Sequence, residues 1–224
     1  VPSPPRPPAY VASFLPFTLA ANHSRAVVLL DDLAAAPSAA REAALHALAD
    51  RISLSCECVA IAPRVHGGGA LPDGGHALLL AEAQAAAVFA NRHFGVQALA
   101  LLALGDSADA SLELIASKAF EEAQALVLLC PRASGGAPRA AREIDVPVLA
   151  VVPTLTPALE AYQRSLELNT RLGPDYFVLP SDEVGTDILV NPNADDADAA
   201  AEQAITLAVA WIDRYVPERL GRPS

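Results

Sequence analysis

Short apolar runs alternate with longer segments patterned at helical spacing along most of this chain. Runs rich in Val, Leu and Ala at 10–19, 26–30, 56–62, 96–104, 125–130, 146–152 and 176–179 have strand length and predict seven strands. Between them, apolar residues recurring at three and four predict helices near 38–51, 77–94, 109–119, 156–172 and 196–215. The last is the plainest, with Ala201, Ala204, Ile205, Ala208, Trp211, Ile212 and Tyr215 on one stripe. Ahead of it, NPNADDADAA places acidic and capping residues where the positive end of the helix dipole favours them. Parallel strands need crossovers, and helices are the usual ones. The alternation therefore predicts an α/β fold, a mostly parallel central sheet with helices on both faces.

At 224 residues the chain suits one domain. No internal repeat or second boundary interrupts 10–224, and HGGGALPDGG and RASGGAP read as loops inside that unit. The Pro-rich opening VPSPPRPPAY predicts an extended arm over residues 1–9. The chain begins with Val, which leaves room for a removed initiator or targeting segment, and nothing in it has the pattern of an intact signal peptide.

Composition removes several function classes. Although 53% of residues are hydrophobic, no apolar run approaches the roughly 18 to 20 residues of a membrane-spanning helix. A net charge of −11 and a single lysine, Lys118, leave no clustered cations to grip a nucleic-acid backbone. Cys56, Cys58 and Cys130 lie in apolar strand-like runs, an odd set of small buried hydrophobes that suits a reducing compartment. The spacing of Cys56 and Cys58 places both on one strand face, yet no other ligands accompany them, so neither a metal nor a cofactor is expected.

The candidate chemistry lies in LALGDSADAS, whose serine is Ser107. An apolar strand runs into it and a helix follows, the layout of a nucleophile elbow, in which small residues two before and two after the nucleophile let strand and helix pass closely. Gly105 meets the first demand and Asp109 fails the second. Asp106 and Asp109 also flank the hydroxyl with negative charge, which opposes both its ionisation and a developing oxyanion.

Around this stretch the sequence resembles the dienelactone hydrolase family of α/β-hydrolases over nearly its whole length. YVASFLPFTLAANHSRAVVLLDDLA is similar to that family's opening strands and the turn that contributes to its oxyanion hole. LADRISLSCECVAIAPRVHGGG is similar to its next helix, strand and loop, and LALGDSADASLELIA stands in place of its G-x-C-x-G-G elbow, with Ser107 at the cysteine. VPVLAVVPTLTP matches the strand before the catalytic acid, and the closing helix matches the family's last one. The resemblance implies an α/β-hydrolase fold and hydrolysis of small esters or lactones. In its active form that function takes Ser107 as nucleophile, with the amides of Ala108 and a residue near Leu33 as oxyanion donors. Asp32 would sit on the oxyanion side, where the family carries a glutamate.

The same alignment exposes a broken triad. α/β-hydrolases order it nucleophile, acid, histidine, but no carboxylate follows Val152 before Glu160, and Val184 and Gly185 stand where the family has His-Gly. All five histidines, His23, His46, His66, His76 and His93, precede Ser107. Without a positioned base a serine hydroxyl is a poor nucleophile. A substitute base from the Gly-rich loop, His66 or His76, is the one way back to catalysis, since that loop should reach the carboxyl edge of the sheet. HGGG at 66–69 follows the wrong strand for a lipase oxyanion loop. GDS at 105–107 lacks the early position and late Asp-x-x-His of GDSL-type esterases. Two functions remain open: a non-catalytic subunit that binds a protein partner or small-molecule ligand, and a serine hydrolase with an unconventional base.

Overall fold

The computed structural model describes residues 10–13, 24–33, 35, 38–63, 76–152, 156–169, 177–178 and 197–216. The strands are β1 (Tyr10–Ser13), β2 (Arg25–Leu30), β3 (Val59–Pro63), β4 (Ala98–Leu104), β5 (Ala123–Leu129), β6 (Val148–Val152) and β7 (Phe177–Val178). The helices are α1 (Ala39–Cys56), α2 (His76–Phe94), α3 (Asp106–Ala116), α4 (Ala137–Ala140), α5 (Pro157–Glu167) and α6 (Ala197–Tyr215). One sheet takes the order β1-β3-β2-β4-β5-β6-β7. β1 lies antiparallel on β3, pairing Tyr10 with Pro63, and every other neighbouring pair is parallel.

The strands read as unbroken apolar runs because both faces of the sheet are covered. Side chains alternate across a strand. Val27, Leu29, Leu102, Leu104, Val127 and Leu129 therefore face α1 and α6, while Val28, Leu30, Leu101, Ala103, Leu126 and Leu128 face α2, α3, α4 and α5. Much of the second layer is alanine. The predicted stripe of α6 is the one that packs: Ala204, Ala208 and Ile212 have no exposed surface and Trp211 is buried.

Several boundaries differ from the sequence reading, three of them with structural consequences. The helix predicted from 109 starts at Asp106, because Asp106 and Asp109 occupy its first turn, where the helix dipole favours acids. α1 runs on to Cys56 and ends on Glu57 in the left-handed region (φ 48°), so Cys56 and Cys58 straddle a helix cap instead of sharing a strand face. A short helix, α4, rises in the segment read as loop. The arm at 1–9, residues 14–19 of the first predicted strand, His66 with its loop, and the segments after β6 and β7 where acid and histidine would fall lie outside the described residues.

Arg25 ties distant parts together. Buried at the start of β2, it donates to the Cys56 carbonyl at the end of α1 and to the Val216 carbonyl beyond α6, and pairs with Asp213 at 2.8 Å. A cation beside two helix C-termini satisfies their last carbonyls and complements their dipoles.

Candidate functional site

In an open α/β sheet, ligands gather beyond the carboxyl ends of the strands. Three adjacent strands, β2, β4 and β5, end there in Asp31–Asp32, Gly105 and Cys130–Arg132 respectively. The sharp strand-to-helix turn is centred on Gly105. Its amide completes the ladder to the Leu129 carbonyl at 3.0 Å, its backbone takes φ 56° and ψ −123°, and α3 begins at the next residue. That conformation is strained for any residue with a Cβ.

Ser107 was expected on that turn and lies instead inside the first turn of α3. It has no exposed surface, and its hydroxyl donates to the Asp31 carbonyl. The small residues two before and two after the apex are Ala103 and Ser107. Ala108, the oxyanion donor of the active-hydrolase reading, spends its amide on the Gly105 carbonyl at 3.1 Å. The amide that follows the apex, that of Asp106, donates to Asp32 Oδ1 at 3.1 Å.

Asp32 thus stands over the elbow. A Cβ built on Gly105 would lie less than 3.0 Å from the Asp32 Cγ and both carboxylate oxygens, so this carboxylate fills the space that a side chain at the apex would enter. Its own side chain is only 2% exposed, and its second oxygen accepts from the Arg132 guanidinium at 2.9 Å. Arg132, itself half exposed, also reaches Asp106 at 3.3 Å. Next door Asp31 takes a two-pronged grip from Arg41, at 2.7 and 2.6 Å, and Leu33 sits in the turn that follows. The Cys130 thiol at the end of β5 is pushed up to about 12 by burial, and then by the charge of Asp32, which leaves it protonated and unreactive.

The acids of α3 serve the neighbouring loop. Asp106, Asp109 and Glu113 share one helix face. Buried Asp109 accepts from Ser134 N at 2.8 Å, Ser134 Oγ at 2.7 Å and Ala133 N at 3.3 Å, and Glu113 accepts from Gly136 N at 2.7 Å. Burial raises the Asp109 carboxyl above its ordinary value, and these hydrogen bonds only partly oppose the shift. The loop they grip holds Cys130 and Ala133 at φ 54° and 56°, a conformation that a residue with a Cβ keeps only when surrounding contacts over-determine it.

His76, one of the two candidate substitute bases, opens α2 and faces Glu113 at 3.7 Å. No hydrogen bond joins it to Ser107 among the described residues. Glu160, the first carboxylate after β6, lies exposed in the first turn of α5 instead of at the strand end. Among the described residues no group of three His, Cys, Asp or Glu side chains is placed to hold a metal, and no helix is long and apolar enough to cross a membrane.

Sequence reasoning passed over Arg132 and the apex role of Gly105. Arg132 carried no local signal, but Gly105 did: Ala103 and Ser107 satisfy the small-residue rule around Gly105, whereas Asp109 breaks it around Ser107.

Neither the models of known protein families nor the curated protein sequences give a match to this chain. Solved structures do. A protein of Klebsiella pneumoniae provisionally described as a dienelactone hydrolase superposes with a TM-score of 0.67 at 16% identity, covering 92% of this chain and 100% of its own. An esterase of Pyrococcus furiosus gives 0.64 at 10% identity, covering 87% and 84%. Est1E of Butyrivibrio proteoclasticus, with ferulic acid bound, gives 0.62 at 11%, covering 91% and 95%. Sheet order, elbow and structural likeness agree that the chain has the α/β-hydrolase fold.

Proposed function

We propose that this chain is a non-catalytic relative of the dienelactone hydrolases, a scaffold that acts by binding a protein partner or a small-molecule ligand. One observation carries the reading: the residue at the apex of the elbow is Gly105, which has no side chain to attack with. Three features support it. The amide that would steady an oxyanion is engaged by the Asp32 carboxylate, so a developing negative charge there would meet a fixed one. Ser107 is buried with its hydroxyl committed to a carbonyl, and the sequence has no histidine after His93. The acids around the elbow work as loop clamps.

A serine-reactive fluorophosphonate and a generic aryl ester test this directly. The expected outcome is neither labelling nor turnover above background in the full chain, with Ser107→Ala indistinguishable from it. Labelling and turnover that disappear in Ser107→Ala would establish the hydrolase reading in its place.

A further inference from the structure

The helix α2 docks through a face made of Leu79, Glu82, Ala83, Ala86 and Ala90. Four of these are ordinary core residues, although three are alanines with little apolar surface to contribute. The fifth is a carboxylic acid that is 2% exposed, with Oε2 lacking any hydrogen-bond partner. Buried acids are normally paired, and among the described residues this oxygen is not.

Among the described residues no neighbouring charge compensates it. Of the elements packed against α2, β3 carries no ionisable side chain. β2 carries Arg25, committed to Asp213 and two helix ends. The third element, α3, carries Asp106, Asp109 and Glu113, all held by the loop at 132–136. On α2 itself His76 faces Glu113, and Arg92 and His93 lie exposed at the far end. Among the described residues the polar ties from α2 to the rest of the fold include His76 to Glu113 at 3.7 Å, Gln84 to the Ala119 carbonyl at 3.5 Å and Asn91 to the Val96 carbonyl just past its end at 3.0 Å. The helix, which also packs Leu80, Ala87, Phe89 and Phe94 partly buried against the core, therefore has an ionisable group built into its seat.

We propose that α2 is a proton-controlled latch, seated on the sheet while Glu82 is neutral and released, with the rest of the fold intact, when Glu82 ionises. Burial alone moves this carboxyl from 4.5 to about 7. The seated state binds its proton more tightly than the lifted state, so lifting is hardest at low pH and becomes easier as the pH rises. The opening constant should climb tenfold per pH unit between 4.5 and about 7, roughly 300-fold in all, and level off above that. The inference is independent of the elbow's chemistry.

Native-state hydrogen exchange on the full chain, corrected for intrinsic rates, tests it. From about pH 4.5 to 7.5 the protection of α2 amides should fall by about two orders of magnitude or more, and at every pH α2 should be less protected than α6. In Glu82→Gln the protection of α2 should stay high and flat. A pH-independent α2, a variant that keeps the wild-type dependence, or α2 amides as protected as those of α6 would each overturn the latch. If Glu82→Gln does not fold, the carboxyl carbon resonance of Glu82 in the wild type decides: titration near 7 supports the proposal and titration near 4.5 ends it.

Discussion

Replacing Gly105 by alanine would place a methyl group where the Asp32 carboxylate now sits. Two costs follow. The left-handed backbone at φ 56° is strained for a residue with a Cβ, by about 1–2 kcal/mol. Clearing the collision then forces Asp32 off the Asp106 amide and the Arg132 guanidinium, and hydrogen bonds to a charged group are worth about 1.5–3 kcal/mol. Gly105→Ala should therefore destabilise by roughly 3–5 kcal/mol, and Asp32→Ala, which loses the same bonds without the strain, by about 2–3 kcal/mol. In the double variant the methyl finds the carboxylate already gone, so only the strain adds to the Asp32 loss. Its total should stay near 3–5 kcal/mol, a coupling of about 2–3 kcal/mol in a double-mutant cycle. Urea unfolding of the four proteins, with m-values checked for constancy, measures it. Costs that add to within about 0.5 kcal/mol would mean that Asp32 does not occupy the space above the apex, and the account of the elbow would fail.

Two more perturbations probe the scaffold. Arg25→Met keeps much of the stem but leaves the Cys56 and Val216 carbonyls without their donor, which should cost about 3 kcal/mol in the same unfolding assay; a loss below about 1 kcal/mol would show that those helix ends find other partners. The three cysteines are all buried and form no disulfide, so an aromatic disulfide reagent should titrate none of them in native buffer and all of them in denaturant. A thiol that reacts promptly in the native protein, Cys130 above all, would contradict the burial that holds its proton in place.

Much of this molecule is present in its local chemistry. Continuous apolar runs of strand length such as ALALLAL and AQALVLL suit strands covered on both faces, and the three-and-four stripe from Ala201 to Tyr215 suits one side of a helix. The order of those elements was enough for the sheet and for a strand-to-helix turn at its carboxyl edge. The turn's register differs by two residues from the Ser107-centred expectation, because the steric rule of small flanking residues is met around Gly105 and not around Ser107. α3 starts three residues earlier than its spacing predicts because Asp106 and Asp109 stabilise a helix N-terminus.

What no local pattern contained is who meets whom. Arg132 reaches Asp32 across 100 residues, and Arg25 reaches Val216 across 191. Contacts at such separations depend on which strands become neighbours. Sheet order brings the ends of β2, β4 and β5 side by side, and it is this adjacency that sets a carboxylate over a glycine. It also turns Asp109 from a charge beside a serine into a clamp on a loop, and leaves Glu82 Oε2 buried without a hydrogen-bond partner among the described residues. The sequence by itself determined the layered α/β scaffold and the absence of a late histidine, because periodicity and residue identity are local. Only the tertiary structure decided that the elbow's apex is empty and its amide occupied, because those facts belong to the space between strands that the chain visits far apart in order.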